Sequence, residues 1–505
     1  MSSPRTARNP LRDPDASSAG FMGKRAWWLV GLNVLIPGSP QVLAGNRRFG
    51  RFALGTTLVF WLLVVVGVLA VVIGGQALIP FVTIPAVLWG LAVVLGLYGV
   101  LWVICAIDTF RLTRLGRATP AVRAGVSLLA VVALVVTGGA AFAGAYTAGV
   151  TAGILAKVAS NTIDITGPDG KPVTVGPITG PVNILLVGDD SGGGNAAYGA
   201  RGETLNDVTI LIHLSPVSKS VTAVSIPRDL YVAQPQCTSS TGAVSPAVAQ
   251  ARFNTALSRG GLNCVVASAS ALTGLPIQYA AQIEFDGVVA MSDAVGGVPV
   301  CLVTAINDPY SGLSLTAGQH TLQGQQALAF LRTRHGLPTG SDLQRISNQQ
   351  VFLASLMRTI KSSQTLNNPI KVIALAQAAA ANMKLSTELA QTSTMVSMAL
   401  ALRAIPLDRI AFVQYPSHPA TVRGQSVTLP DTSDAAVLTN ALAADQAVVT
   451  QQLGGAAVAN GTPAPSATPT PSASATPNGG VPVPLPSSIS GQAADQSTCS
   501  SGQTG

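Results

Sequence analysis

Asn183-Ile-Leu-Leu-Val-Gly-Asp-Asp190, then, beyond a glycine-rich loop, Asn206-Asp-Val-Thr-Ile-Leu-Ile-His-Leu214, then Val221-Thr-Ala-Val-Ser-Ile-Pro-Arg-Asp-Leu-Tyr231: these three runs decide the fold. Each is short, apolar and rich in β-branched residues, and each is bounded by turn formers, so they read as buried strands of one sheet. Each also carries charge at an edge: Asp189 and Asp190 after the first, Asp207 opening the second, Arg228 and Asp229 closing the third. Open α/β sheets bind ligands at strand ends. Carboxylates and an arginine converging there suit a divalent cation and a phosphate group. Any one of them alone would be an ordinary cap on a solvated sheet edge.

Two later stretches complete the pattern. In Ala327-Leu-Ala-Phe-Leu-Arg-Thr-Arg-His335, an extended chain would put Arg332 and Arg334 on one face. Guanidinium forks match phosphate oxygens two at a time, which an ammonium does not do. In Ser341-Asp-Leu-Gln-Arg-Ile-Ser-Asn-Gln-Gln-Val-Phe-Leu353, Ser341 and Gln344 form a capping box, so a helix starts there. Arg345 and Gln349 share its polar face, Asp342 lies one turn earlier, and Leu343, Ile346, Val351, Leu353 and Leu356 supply apolar burial. A helix amino terminus beside an arginine is a natural anion site. Arg252, Asn254 and Asp286 read as structural when taken singly, and His213 as a satisfied core histidine. His335, beside the arginines, is open to either role.

Charge is unevenly spread along the 505 residues. Residues 1–123 hold twelve Lys and Arg against three Asp and Glu, whereas the remainder holds seventeen against eighteen, so the +8 balance belongs to the amino-terminal end. A nucleic-acid binder would instead coat a folded face with basic residues. After a basic tail (1–25) come three apolar stretches, about 52–74, 81–107 and 124–150, each long enough for a bilayer, which takes about 20 residues. The loops around Arg47–Arg51 and Arg111–Arg123 are basic and the connection between the first two stretches is not, so the positive-inside rule puts both basic loops in the cytoplasm and everything after 150 outside. The 26–45 segment is apolar but broken by Asn33, Pro37, Gly38, Pro40 and Gln41, and reads as a re-entrant hairpin or partial span. The spans hold no cluster of ionisable residues, which opposes transport and favours an anchor.

The exported half divides into a Gly/Pro-rich stalk (151–180), a core (181–362), a carboxy-terminal part of the same domain (363–453) and a Pro/Ala/Ser/Thr-rich tail (454–505) expected to be disordered. Cys237, Cys264, Cys301 and Cys499 fall outside the membrane, where two disulfides are possible. Cys237 with Cys264 is the favoured pair, leaving Cys499 to fold back to Cys301 or stay free; Cys105 reads as inert packing. No Cys-x-x-Cys or histidine cluster points to zinc.

In order, Ile-Leu-Leu-Val-Gly-Asp-Asp190, Asn206-Asp-Val-Thr-Ile-Leu, Ser225-Ile-Pro-Arg-Asp, Phe253-Asn-Thr-Ala, Phe285-Asp-Gly, Gly324-Gln-Gln-Ala-Leu-Ala-Phe-Leu-Arg-Thr-Arg-His and Arg345-Ile-Ser-Asn-Gln-Gln resemble the LytR-CpsA-Psr family over about residues 180–362. The resemblance implies an α/β fold: an exported α/β/α domain with a central mixed sheet whose apolar interior holds a polyprenyl chain, behind a helical membrane anchor. The implied activity attaches a glycopolymer carried on polyprenyl diphosphate to peptidoglycan through a phosphodiester, with Mg²⁺ or Mn²⁺ as cofactor. By position, Asp190 and Asp207 match the metal ligands, with Asp189 an alternative to Asp190. Arg228, Arg332, Arg334, Arg345 and Gln349 match the diphosphate-binding set, to which Arg252 is added. Arg228, Asp207 and Asp229 carry the expected catalysis, with Asp229 or Asp189 accepting a proton. The family commonly has arginine where Gly192 stands, and Arg201 is the candidate to supply that charge. The same site using water would be a polyprenyl-diphosphate hydrolase. A membrane sensor is the rival from another class, opposed by the short cytoplasmic segments.

Overall fold

The computed structural model describes residues 11–12, 14, 17–74, 84–166, 173, 180–190, 204–362, 365, 368–459 and 481–503. The chain forms two units, Met1–Ala156 and Lys157–Gly505.

In the first unit, α1 (Ala19–Leu35) and the short α2 (Ser39–Ala44) precede α3 (Arg47–Gly74), α4 (Pro85–Thr113) and α5 (Pro120–Ser160). Among the described residues, three helices are long and apolar enough to cross a membrane: Arg47–Ala70, Pro85–Arg117 and Pro120–Ser160. The broken 26–45 segment is a helix, a turn and a helix. Gly38 at the turn has φ +92°, and a Cβ there would lie 2.4 Å from the Leu54 backbone nitrogen, so only glycine fits. The polar residues that interrupt the segment face inward: Gln41 donates to the Cys105 carbonyl and to Thr109, and Thr109 donates to Asn33.

The expected stalk is corrected at its start. Residues 151–160 continue α5, a helix of 41 residues: Thr-Ala-Gly-Ile-Leu-Ala-Lys-Val-Ala-Ser contains no proline, and half of it is Ala, Leu and Lys, which favour helix. Strand β1 (Thr162–Ile163) follows at once.

The second unit is built on an eight-stranded mixed sheet of β1, β2 (Val182–Asp189), β3 (Asn206–Ser215), β4 (Ser220–Ser225), β5 (Tyr279–Ile283), β10 (Met383–Ser386), β11 (Ile410–Gln414) and β15 (Gly491–Ala493), in the spatial order β1-β10-β5-β2-β3-β4-β11-β15. The three runs that opened the reading are the central strands, β2 antiparallel to β3 and β3 to β4. Their side chains alternate between two cores. Leu185, Val187 and Leu211 pack on the side of α6 (Leu262–Thr273) and α12 (Thr432–Ala443). Ile184, Leu186, Ile210 and Ile212 pack on the side of α9 (Asp342–Lys361) and α11 (Thr392–Ala404). The layers are therefore α/β/α. Between these elements lie α7 (Phe285–Ala294), α8 (Gly324–Arg332) and α10 (Pro369–Asn382). A smaller sheet orders β9 (Gly318–Leu322), β6 (Val298–Leu302), β16 (Thr498–Ser500) and β14 (Ala457–Ala459), and β7 (Ile306–Asp308) and β8 (Leu313–Leu315) form a hairpin.

The tail reading is also corrected. Residues 460–480 lie outside the described residues, but 481–503 return to the domain: β15 joins the large sheet beside β11, and β16 inserts between β6 and β14. Cys499 is bonded to Cys301 and Cys237 to Cys264. Strands this short carry no readable period, and their partners stand far away in sequence.

Candidate active site

The site is assembled at the carboxy end of β2 and β4 and the start of β3. Register slips between Gly188 and Asp189, which pair with Val208 and Asn206, so Asp207 is the extra residue of a β-bulge. Bulges re-aim side chains beside binding sites. Asn206 fixes this one: its amide donates to Thr209 Oγ1 and the Phe253 carbonyl and accepts from Leu257 N.

Pro227 ends β4's run, and Arg228 turns back to donate from Nη1 to Asp207 Oδ1 at 2.7 Å. Its own backbone N donates to Asp342 Oδ2 at 3.2 Å, and its Nε lies 3.7 Å from both Asp229 and Asp342. Asp342, in the first turn of α9, also pairs with Arg345 Nη2 at 2.7 Å, and the same nitrogen donates to the Asp207 carbonyl at 2.7 Å. One buried carboxylate thus joins the end of a strand to the start of a helix. Burial would lower the Arg228 pKa, but Asp207, Asp342 and Asp229 outweigh it and raise it. Arg334 goes the other way: burial and the nearby Arg228 lower it, with Asp342 only partly offsetting. A third cation set beside Arg228 and Arg345 is better explained by an anion they would share than by pairing within the protein. Arg228 Nε and Arg345 Nε are buried without a hydrogen-bond partner among the described residues, which fits the same conclusion.

This cluster closes one end of a cavity of about 170 Å³ that is otherwise apolar. Leu186 and Ile210 of the sheet, Val288 and Met291 of α7, and Leu353 and Leu356 of α9 form its walls; Asp189, Asp207, Arg332, Arg345 and Gln349 are its polar residues on the cluster's side, and Glu284 and Ser292 also line it. Arg332 is not extended with Arg334 as expected. It is the last residue of α8, because Ala327, Leu328, Ala329 and Phe330 bury as a helical face, and its guanidinium sits 4.5 Å over the Phe285 ring, where polar end meets apolar wall. Arg334 follows in the loop and donates from Nε to Gly340 O at 3.4 Å. Gln349 uses its amide N–H to brace the Leu331 carbonyl, so it shapes the cavity and holds α8.

Asp229 and Arg252 stand together to one side, Arg252 Nε 3.9 Å from Asp229 and its Nη2 on the Ser426 carbonyl. Arg252 does not line the cavity, so it reaches the cluster through Asp229. Asp190 accepts from Leu205 N through Oδ1, whereas Asp189 accepts from Gln282 through Oδ2 and lines the cavity. Among the described residues no group of three or more His, Cys, Asp or Glu side chains is placed to hold a metal. Two carboxylates with substrate oxygens are still a sufficient donor set for a hard divalent cation. Gly192 and Arg201 lie outside the described residues.

His213 is structural: Nδ1 lies 2.8 Å from Asn183 Oδ1 and Nε2 3.3 Å from Asp445. Asn254 holds the Arg228 carbonyl through its backbone, and Asp286 stands in the first turn of α7. Reading by motif missed Asp308. Its Oδ2 accepts from Thr333 Oγ1, Arg334 N and His335 N, and so fixes the arginine loop. The Asp-Pro-x-x-Gly turn at 308–312 signals its local bonds, but nothing in the sequence signals those across 25 residues.

Residues 154–444 match the model of the LytR_cpsA_psr family. The chain is 36% identical over 249 residues to the cell wall biosynthesis protein LcpA of Corynebacterium glutamicum, covering 44% of this chain and 48% of that protein. It is 31% identical over 172 residues to the polyisoprenyl-teichoic acid–peptidoglycan teichoic acid transferase TagU of Bacillus cereus, covering 34% and 50%. The chain spans about half the length of these curated relatives. Among solved structures, the LytR-Csp2A-Psr enzyme from Actinomyces oris aligns with a TM-score of 0.42 at 22% identity, covering 56% of this chain and 94% of that one.

Proposed function

The chain belongs to the LytR_cpsA_psr family, and from that premise we propose that it transfers a glycopolymer from a polyprenyl-diphosphate carrier to a peptidoglycan hydroxyl. The observation that carries the reading is the junction itself: an apolar cavity ends at Arg332, Arg345 and Asp207, with Arg228 and Arg334 close behind. A ligand that suits it has a long apolar tail and a polyanionic head, which is the chemistry of a polyprenyl diphosphate.

Phosphoryl transfer asks the protein for position and charge neutralisation more than for a covalent nucleophile. The acceptor hydroxyl oxygen attacks the phosphorus that stays with the glycopolymer. The bridging P–O bond breaks, and polyprenyl monophosphate leaves with the electron pair. Arg228 and Arg345, each with an Nε that makes no hydrogen bond among the described residues, turn their charge to the diphosphate oxygens, Arg332 holds the head at the polar end of the cavity, and Arg334 adds charge. Asp229, outside the cavity and beside Arg228, receives the hydroxyl proton. Mg²⁺ or Mn²⁺ would be held by Asp207 and Asp190, with Asp189 the adjoining carboxylate, and would supply further neutralisation of the diphosphate. The three long apolar helices would anchor the domain at the outer leaflet, where lipid-linked donor and peptidoglycan both lie.

The test uses the full chain in nanodiscs with a polyprenyl-diphosphate-linked sugar and Mg²⁺, following release of polyprenyl monophosphate. Release that requires metal and is lost in Arg228→Ala supports the reading. Peptidoglycan fragments should then appear as phosphodiester product; free sugar phosphate in their presence would make the protein a hydrolase. No release from any donor would defeat diphosphate chemistry.

A further inference from the structure

Between β7 and β8 the turn Asp308–Gly312 lifts Tyr310 into solvent, where it is 80% exposed. Its ring rests on the exposed imidazole of His335, centroids 4.4 Å apart and planes tilted by 43°. We propose that Tyr310 and His335 form a platform on which a sugar ring stacks, next to the arginine cluster.

A single exposed aromatic needs no explanation. This pair differs because it is held. Tyr310 N and Ser311 N donate to Asp308 Oδ1, His335 N donates to Asp308 Oδ2, and the Gly312 N–H closes the turn on the Asp308 carbonyl. Gly312 has φ +74°, which lets the turn close tightly. One buried carboxylate therefore sets the separation of two rings that come from segments 25 residues apart. The backbone segments that carry the rings are fixed before any ligand arrives, so less freedom is lost on binding.

Position and chemistry agree. His335 directly follows Arg334, and successive Cα atoms stand about 3.8 Å apart. In a glycosyl diphosphate the first ring is joined to the phosphate through one oxygen, so a phosphate held by Arg334 brings a ring within reach of the next residue. A pyranose has a C–H face that packs on an aromatic ring and a hydroxyl rim that hydrogen-bonds the Tyr phenol and the His nitrogens. The lipid tail, by contrast, has its own apolar cavity, whose lining includes neither Tyr310 nor His335.

The inference rests on the transferase reading, and the ring has two sources, the donor's glycan and the peptidoglycan acceptor. Calorimetric titration of the full chain in nanodiscs separates them, using three ligands: sugar-free polyprenyl diphosphate, the same lipid carrying one N-acetylhexosamine, and a soluble peptidoglycan disaccharide. Tyr310→Ala should weaken a sugar-bearing ligand about tenfold, leave sugar-free polyprenyl diphosphate unchanged, and be rescued by Tyr310→Phe. Weakening confined to the lipid-linked sugar assigns the donor; weakening confined to the disaccharide assigns the acceptor. Equal binding of both sugar ligands to wild type and Tyr310→Ala, or no binding of either to wild type, overturns the platform. Failure of sugar-free polyprenyl diphosphate to bind would instead defeat the diphosphate site, with the disaccharide arm still deciding the platform.

Discussion

Asp308 is buried to 1% exposure and gathers five hydrogen bonds from two segments, so the arginine loop depends on one ionised group. Burial alone would raise its pKa. The donors from Thr333, Arg334, Tyr310 and Ser311 outweigh burial and hold it below the ordinary 3.8. The folded state therefore binds a proton less readily than the unfolded chain. The stabilisation is complete above the unfolded value and is lost as pH falls through the lower folded one. Urea denaturation of wild type against Asp308→Asn should show a stability difference that is constant from pH 7 to about 5 and shrinks below the unfolded value. A difference that grew on acidification would contradict this assignment. At this scale the sequence showed the charged residues and little of their pairing. Asp207, Arg228, Arg345 and Asp342 meet because a bulge, a Pro-terminated strand and a helix start converge, and only the last two leave a local signature.

Helix α9 shows how far an element can be read. Ser341 Oγ accepts from Gln344 N, as its capping box requires. The reciprocal bond is missing: Gln344 Oε1 takes the Thr339 N–H at 2.6 Å, tying the preceding loop to the helix. Ser341→Ala should cost about 1 kcal/mol of stability, read from the denaturation midpoint. It should also loosen Arg345, which sits on the helix's first turn, so donor affinity should fall together with stability. Unchanged affinity would mean that Asp342 alone positions that arginine. The central strands were legible because two-sided burial demands continuous apolar β-branched runs. Helix α8 was not, since a nine-residue segment ending in alternating arginines satisfies strand and helix patterns equally well. Packing of Phe330 and Leu328 decided it.

The whole second unit is fastened by its last described residues. β15 covers the edge of the large sheet and β16 completes the small one, while Arg358 of α9 donates to the Ala494 and Gln496 carbonyls between them. Cys499→Ser should lower stability by about 2–4 kcal/mol, and reductant should shift the melting temperature of wild type but move the variant less. A cut at residue 453, which the proline-rich composition recommends, would remove both strands. The two disulfides also differ in when they can form. Cys237 and Cys264 are 27 residues apart and can meet soon after both are made. Cys301 must wait for Cys499, 198 residues later, which at 5–20 residues per second is about 10–40 s of synthesis. During that interval the waiting thiol can be captured by either of the two earlier cysteines. A cell making this protein therefore needs either fast closure of the first pair or a thiol isomerase to reshuffle the mistakes.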